Sequence, residues 1–267
     1  MKHDPVEVAF LHAAARTIRR EDTVLVACSG GGDSVALFHL LHRMSERRRP
    51  RLIVAHLDHG VRRGSKADLA FVRALALDLD HPFVSDRREV ATLRRKGESP
   101  EEAARRVRHA FLREAARKHG ATRIALGHTL DDQAETILMR LVRGAGPTAL
   151  LGMREAGPGP LVRPLLEIER DAVRGWLARR RIAFREDPSN RSLRFDRNKV
   201  RLLVMPVLRK RLNPKAARHV AAGMARLRED ADYLDAVARE AAATFGGDAE
   251  AVARLPQAIA GRVRRLL

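Results

Sequence analysis

From residue 22 onward the chain alternates short apolar runs with longer stretches in which apolar positions recur at helical spacing. The runs at 24–28, 52–57, 83–85 and 123–127 have strand length. Between them, Leu37, Leu40, Leu41 and Met44 fall on one helical stripe, and Leu69, Val72, Ala76 and Leu79 on another. Ser99-Pro100-Glu101-Glu102 reads as a capping box with proline at the first helical position, opening a helix that ends before Gly120. Strands alternating with helices predict strand–helix–strand units and a mainly parallel sheet.

Further along, the pattern changes. Residues 144–160 are rich in glycine and proline and predict a loop or lid. Residues 169–180 have helical character, Asp187-Pro188-Ser189-Asn190 is a turn, and 196–245 is arginine- and alanine-rich helix interrupted at Asn213-Pro214. The expected architecture is α/β, a Rossmann-like doubly wound sheet with a smaller all-helical C-terminal domain. Residues 1–165 form the nucleotide-binding domain, 166–197 a connector and 198–267 a basic helical subdomain.

Composition narrows the functions open to such a fold. The 267 residues are 45% hydrophobic, enough for a buried core. No apolar run approaches the roughly 20 residues of a membrane span, and the N-terminus has no signal-like apolar region, so a cytoplasmic protein without membrane association is expected. A single cysteine, Cys28, excludes an intramolecular disulfide and a cysteine-rich metal site built from this chain alone. The formal charge of +19, dominated by arginine, points to a polyanionic partner. Aromatic residues make up only 4%, so contacts to a nucleic acid would be led by phosphate and shape rather than base stacking.

The chemistry starts at Ser29-Gly30-Gly31-Gly32-Asp33-Ser34, which joins a strand to an amphipathic helix. Consecutive glycines let backbone N–H groups converge on an anion at a helix N-terminus, and Ser29 and Ser34 can donate to the same oxygens. The loop has neither the Walker ending nor the dinucleotide glycine spacing. Asp33 would repel phosphate unless a cation intervened, which argues for Mg²⁺. Further on, Gly127-His128-Thr129-Leu130-Asp131-Asp132-Gln133-Ala134-Glu135-Thr136 runs from a strand end into a helix, so His128, Asp132 and Glu135 share one face and Asp131 lies opposite Glu135 across one turn. Carboxylates crowded in this way require a cation, either Mg²⁺ or an amino-acid ammonium.

Ser-Gly-Gly-x-Asp-Ser after a strand resembles the N-type ATP pyrophosphatases, the PP-loop superfamily, whose members split ATP into AMP and pyrophosphate. Further segments narrow the resemblance: His56-Leu57-Asp58-His59-Gly60, the 127–136 segment, Arg140-Leu141-Val142-Arg143-Gly144, Arg163-Pro164-Leu165-Leu166, Asp187-Pro188-Ser189-Asn190 and Arg197-Asn198. Together, over residues 22–215, they are similar to bacterial tRNA(Ile)-lysidine synthetases. The resemblance implies ATP, Mg²⁺ held by Asp33, free L-lysine and a tRNA(Ile) with a CAU anticodon. It gives Asp132 and Glu135 the lysine amine and turns His128 towards the α-phosphate. Arg105 and Arg108 match an Ala-Arg-x-x-Arg-Tyr pattern in which His109 replaces the tyrosine, and Arg105 would steady the charge on departing pyrophosphate. His56 and Asp58, outside the ends of the strands, would line the adenosine pocket. Arg201, Arg209, Lys210 and Arg211 suit tRNA phosphates, and a homodimer is compatible with all of this.

Overall fold

The computed structural model describes residues 4–48, 50–60 and 65–267. In chain order the elements are α1 (Pro5–Thr17), β1 (Thr23–Ala27), α2 (Gly32–Arg48), β2 (Arg51–Asp58), α3 (Ser65–Asp78), β3 (Phe83–Arg87), α4 (Val90–Leu93), α5 (Pro100–Lys118), β4 (Arg123–Ala125), α6 (Leu130–Val142), α7 (Pro147–Leu150), β5 (Leu161–Val162) and α8 (Arg170–Arg179). A 3₁₀ turn at Pro188–Arg191 leads to α9 (Asp196–Lys199), α10 (Met205–Val207), α11 (Ala216–Phe245), α12 (Ala249–Ala253) and α13 (Gln257–Leu266).

The strands pair in the order β3-β2-β1-β4-β5, every neighbouring pair parallel. Successive residues of a strand face opposite sides, and both sides are covered. Val24, Val26 and Val54 pack with Leu37 and Leu41 of α2 and Trp176 of α8. Leu25, Ile53 and Ile124 pack with Phe111 and Leu112 of α5. This is the doubly wound α/β layering that the alternation predicts. Strand order reverses between β1 and β4, and a crevice for ligands opens beyond the carboxyl ends of the strands at such a point.

The capping box forms as read, with Ser99 Oγ accepting from the Glu102 N–H and the Glu102 carboxylate accepting from the Ser99 N–H. Three features departed from the sequence pattern. Helix α1, capped by Asp4, precedes the region where the alternation begins. The glycine-rich 144–160 stretch holds the short α7, and at its end β5, two residues long, extends the sheet. A two-residue strand is too short to show a period. Beyond the sheet, Met205 and Ala217 pack on Ala134 of α6, while α11, α12 and α13 share a separate small core of Ala238, Val252, Ile259 and Val263.

Candidate active site

The carboxyl end of β1 turns into α2 through residues 29–34. Gly30 holds φ +88°, a left-handed conformation, and a Cβ there would also lie 3.4 Å from Val72. Ser34 is the internal brace of the loop: its hydroxyl accepts from the Ser29 N–H at 3.1 Å and donates to the Gly31 carbonyl at 2.9 Å. The Ser29 and Ser34 hydroxyls lie 3.2 Å apart. The carboxyl end of β4 comes close alongside, because a Cβ at Gly127 would stand 3.0 Å from the Asp33 carbonyl oxygen. The 29–34 loop and the 127–136 segment therefore share one cavity of about 360 Å³.

Ser29, Gly31, Gly32, Asp33, Ser34, Arg108, His128, Asp132, Arg197 and Arg201 contribute the polar wall of that cavity, and Ala27, Ala55, Leu57, Phe111 and Leu126 an apolar one. His56 and Asp58, expected in an adenosine pocket, do not line it. Alternation along β2 turns Ala55 and Leu57 to the cavity and the two polar residues away from it. His56 Nδ1 contacts the Cys28 carbonyl at 2.9 Å, and Asp58 accepts from the Gly60 N–H at 2.8 Å. Arg108 lines the cavity and Arg105 does not. Burial, with Arg105 and Arg197 nearby, pushes the Arg108 guanidinium down to about 10, so it stays charged at neutral pH.

The acidic residues were expected to surround a metal ion or an ammonium. In the structure guanidinium groups take that place. Arg170, at the start of α8 and only 7% exposed, donates through Nε to Asp33 at 3.2 Å, through Nη2 to Asp132 at 2.7 Å and through Nη1 to Glu135 at 3.0 Å. Its backbone N–H donates to Asp131 at 2.7 Å. Arg197 donates to Glu135 at 3.0 Å and to Asp132 at 3.1 Å, and Arg209 pairs with Asp131. Sequence reading assigned no role to Arg170; the unmet charge of four nearby carboxylates was the signal that could have located it.

This network separates the carboxylates into distinct tasks. Asp132 Oδ2 accepts from the Thr129 N–H and hydroxyl at 2.8 and 2.9 Å, leaving Oδ1 to the arginines. Burial works against its ionisation, but the Arg170 and Arg197 guanidinium groups outweigh it and hold the carboxyl well below the usual range. Asp132 is thus a fixed anion and a poor proton acceptor. Glu135 is 1% exposed and does not line the cavity. Burial pushes His128 well below its ordinary value, so the ring is neutral at pH 7, and its buried Nδ1 has no partner among the described residues.

Asp33 fits a cation. One of its oxygens takes Arg170, while Oδ1 is buried without a hydrogen bond, its nearest guanidinium being Arg174 at 3.7 Å. A Mg²⁺ ion is commonly held by one or two carboxylates together with substrate phosphates, and a carboxylate oxygen without a hydrogen bond beside a phosphate cradle suits that arrangement.

The remaining sequence signals fall around the cavity. Asn198 donates to the Ser189 and Ser192 carbonyls, both at 2.8 Å, tying the 187–190 turn to α9 and setting Asn190 at the cavity edge. Arg163 donates to the Arg154 carbonyl at 2.7 Å and holds the loop before β5. Lys210 and Arg211 are exposed. Cys28 is 2% exposed, and burial pushes its thiol up to about 11. Alkylation by iodoacetamide at pH 8 should therefore proceed only as the protein unfolds; stoichiometric labelling of the folded protein within minutes would contradict this burial.

The parallel sheet with its glycine-rich loop after the first strand defines a PP-loop nucleotide-binding protein, and residues 4–208 match the PP-loop domain family. The chain belongs to the tRNA(Ile)-lysidine synthase family. It is 46% identical over 202 residues to the tRNA(Ile)-lysidine synthase of Thermus thermophilus, covering 75% of this chain and 38% of that protein. To that of Thermobifida fusca it is 37% identical over 274 residues, covering 99% of this chain and 83% of that protein. Among solved structures, the U34-tRNA thiolase NcsA from Methanococcus maripaludis with its 4Fe-4S cluster shares the fold, with a TM-score of 0.70, 16% identity, and coverage of 84% of this chain and 78% of that one.

Proposed function

We propose that this chain ligates lysine to C2 of the wobble cytidine in a tRNA(Ile) with a CAU anticodon, converting ATP to AMP and pyrophosphate. The observation that carries this reading is the single cavity shared by a phosphate-cradling loop and by His128 and Asp132. The similarity to tRNA(Ile)-lysidine synthases supports the choice of substrates.

In this reading the adenine lies against Ala27, Ala55, Leu57 and Leu126, and the triphosphate lies over the 29–34 loop. The cytosine O2 attacks the α-phosphorus, and the bond to the bridging oxygen breaks to release pyrophosphate. Backbone N–H groups at the start of α2, with Arg108 and Arg174, meet the charge that develops on the phosphate oxygens. His128, neutral at pH 7, offers the α-phosphate a ring N–H donor. The neutral ε-amine of lysine then attacks C2, and AMP leaves carrying the former O2. Asp132, the carboxylate of the pair that lines the cavity, steadies the incoming amine, and Glu135 acts through the two arginines it fixes. When bound at Asp33, Mg²⁺ supplies charge neutralisation for the departing pyrophosphate.

Residues 1–165 serve as the nucleotide domain, 166–197 as the connector that brings Arg170, Arg174 and Arg197 to the site, and 198–267 as the RNA-facing part. Lys210 and Arg211, on the outer face of the 200–212 helix, are the tRNA phosphate contacts; Arg209 is engaged with Asp131 instead. The basic excess of the chain gives the electrostatic part of RNA binding.

Pyrophosphate release tests this reading when ATP, Mg²⁺, lysine and tRNA are supplied together and then withheld one at a time. Omitting tRNA should abolish release, and omitting lysine should limit it to about one turnover per bound tRNA. Sustained release without tRNA in the presence of a small carboxylate metabolite would instead indicate an amidating synthetase.

A further inference from the structure

Arg201, expected from the sequence among the tRNA phosphate contacts, lines the cavity. The run from Asp196 to Leu212 is helical but not uniformly α. Val200–Val204 and Leu208–Leu212 are π-helical, with the Met205 N–H reaching back five residues to the Val200 carbonyl and the Asn213 N–H to that of Leu208. Each widened turn offsets the drift of an α-helix, so residues four apart stay on one face. That face carries Arg197, Arg201, Met205 and Arg209. Three of the four are anchored: Arg197 to Asp132 and Glu135, Met205 in the apolar contact with Ala134 and Ala217, and Arg209 to Asp131. Arg201 lies between these anchors on the same face. Among the described residues it has neither an ion pair nor a side-chain hydrogen bond.

The π-helical run therefore turns the Arg201 position towards the cavity, where its side chain has no carboxylate partner among the described residues. Widened turns of this kind are rare and concentrate at functional sites. From this arrangement we infer that Arg201 binds a phosphate group of the nucleotide within the cavity, on a helix face anchored on both sides of it. The inference rests on the reading of the cavity as an ATP site. The alternative source of the same chemistry is an RNA phosphate entering the cavity mouth, and the two sources separate in binding measurements made with each ligand alone.

The test compares Arg201→Gln and Arg201→Lys with the unaltered chain. ATP affinity is measured by calorimetry in the absence of RNA, and tRNA affinity is measured across a salt series in the absence of ATP. Arg201→Gln should weaken ATP binding about tenfold or more, with Arg201→Lys recovering part of the loss because it keeps the charge and loses the planar fork. The salt slope of tRNA binding should not change. An unchanged ATP affinity overturns the inference; if the tRNA salt slope then falls by about 1, the phosphate belongs to RNA. Having no partner to lose, the variants should melt with the parent protein, and a large fall in melting temperature would show instead that Arg201 is structural. If the unaltered chain binds no ATP, the proposed function fails along with this inference, whereas normal ATP binding by both the parent and Arg201→Gln removes only the inference.

Discussion

Asp33→Ala is expected to lower pyrophosphate release from ATP by about a thousandfold in the presence of tRNA, lysine and Mg²⁺. The reason is the position of the side chain. Asp33 presents a buried oxygen without a hydrogen bond to the cavity, beside the loop that receives the phosphates. Its other oxygen is held by Arg170, so the carboxylate cannot swing away from the cavity. Removing it takes away the one loop carboxylate suited to a cation. The fold should survive, since Arg170 keeps Asp132, Glu135 and the backbone contact to Asp131. Unchanged tRNA affinity in a filter-binding assay, together with lost turnover, would complete the expected pattern. Turnover within tenfold of the parent would show that Asp33 does not serve the phosphates.

Glu135→Ala has its largest effect on stability. Glu135 is 1% exposed and its two oxygens hold Arg170 and Arg197, so truncation leaves one buried and one half-buried guanidinium group short of a partner. Breaking a buried ion pair from one side typically costs about 3–5 kcal/mol. For a chain of this size that corresponds to a fall in melting temperature of roughly 10 °C. Glu135→Gln keeps the volume and an acceptor oxygen and should lose less. Thermal unfolding followed by circular dichroism measures both. A Glu135→Ala protein that melts with the parent would show that the guanidinium groups find other partners and that Glu135 is free to bind substrate directly.

The parallel strands, the helical stripes and the capping box were legible in the sequence because each depends on spacing within one segment. The convergence of the 29–34 loop with the 127–136 segment could be anticipated from strand–loop–helix order and the rule that ligands bind beyond strand ends. What occupies the space among the carboxylates could not, because Arg170 lies 35 residues beyond Glu135 and nothing local marks it among so many arginines. The choice of Ala55 and Leu57 over His56 and Asp58 depended on which face of β2 turns to the cavity, and a strand covered on both faces carries no alternation to reveal it. Arg201 lies beside Arg197 on any helical projection, but bringing Met205 and Arg209 onto that same face takes the π-helical turns, which spacing alone does not reveal.

The central claim is that one cavity both activates a tRNA base and delivers lysine to it. Radiolabelled lysine incubated with the protein, ATP, Mg²⁺ and tRNA(Ile) of CAU anticodon tests it most directly, followed by mild alkaline treatment and nuclease digestion. The account predicts label that survives the alkaline step, as a C–N bond should, and migrates with the nucleotide from the wobble position. Label lost in mild base, as from a 3′-terminal ester, or tRNA that stays unlabelled would contradict the account.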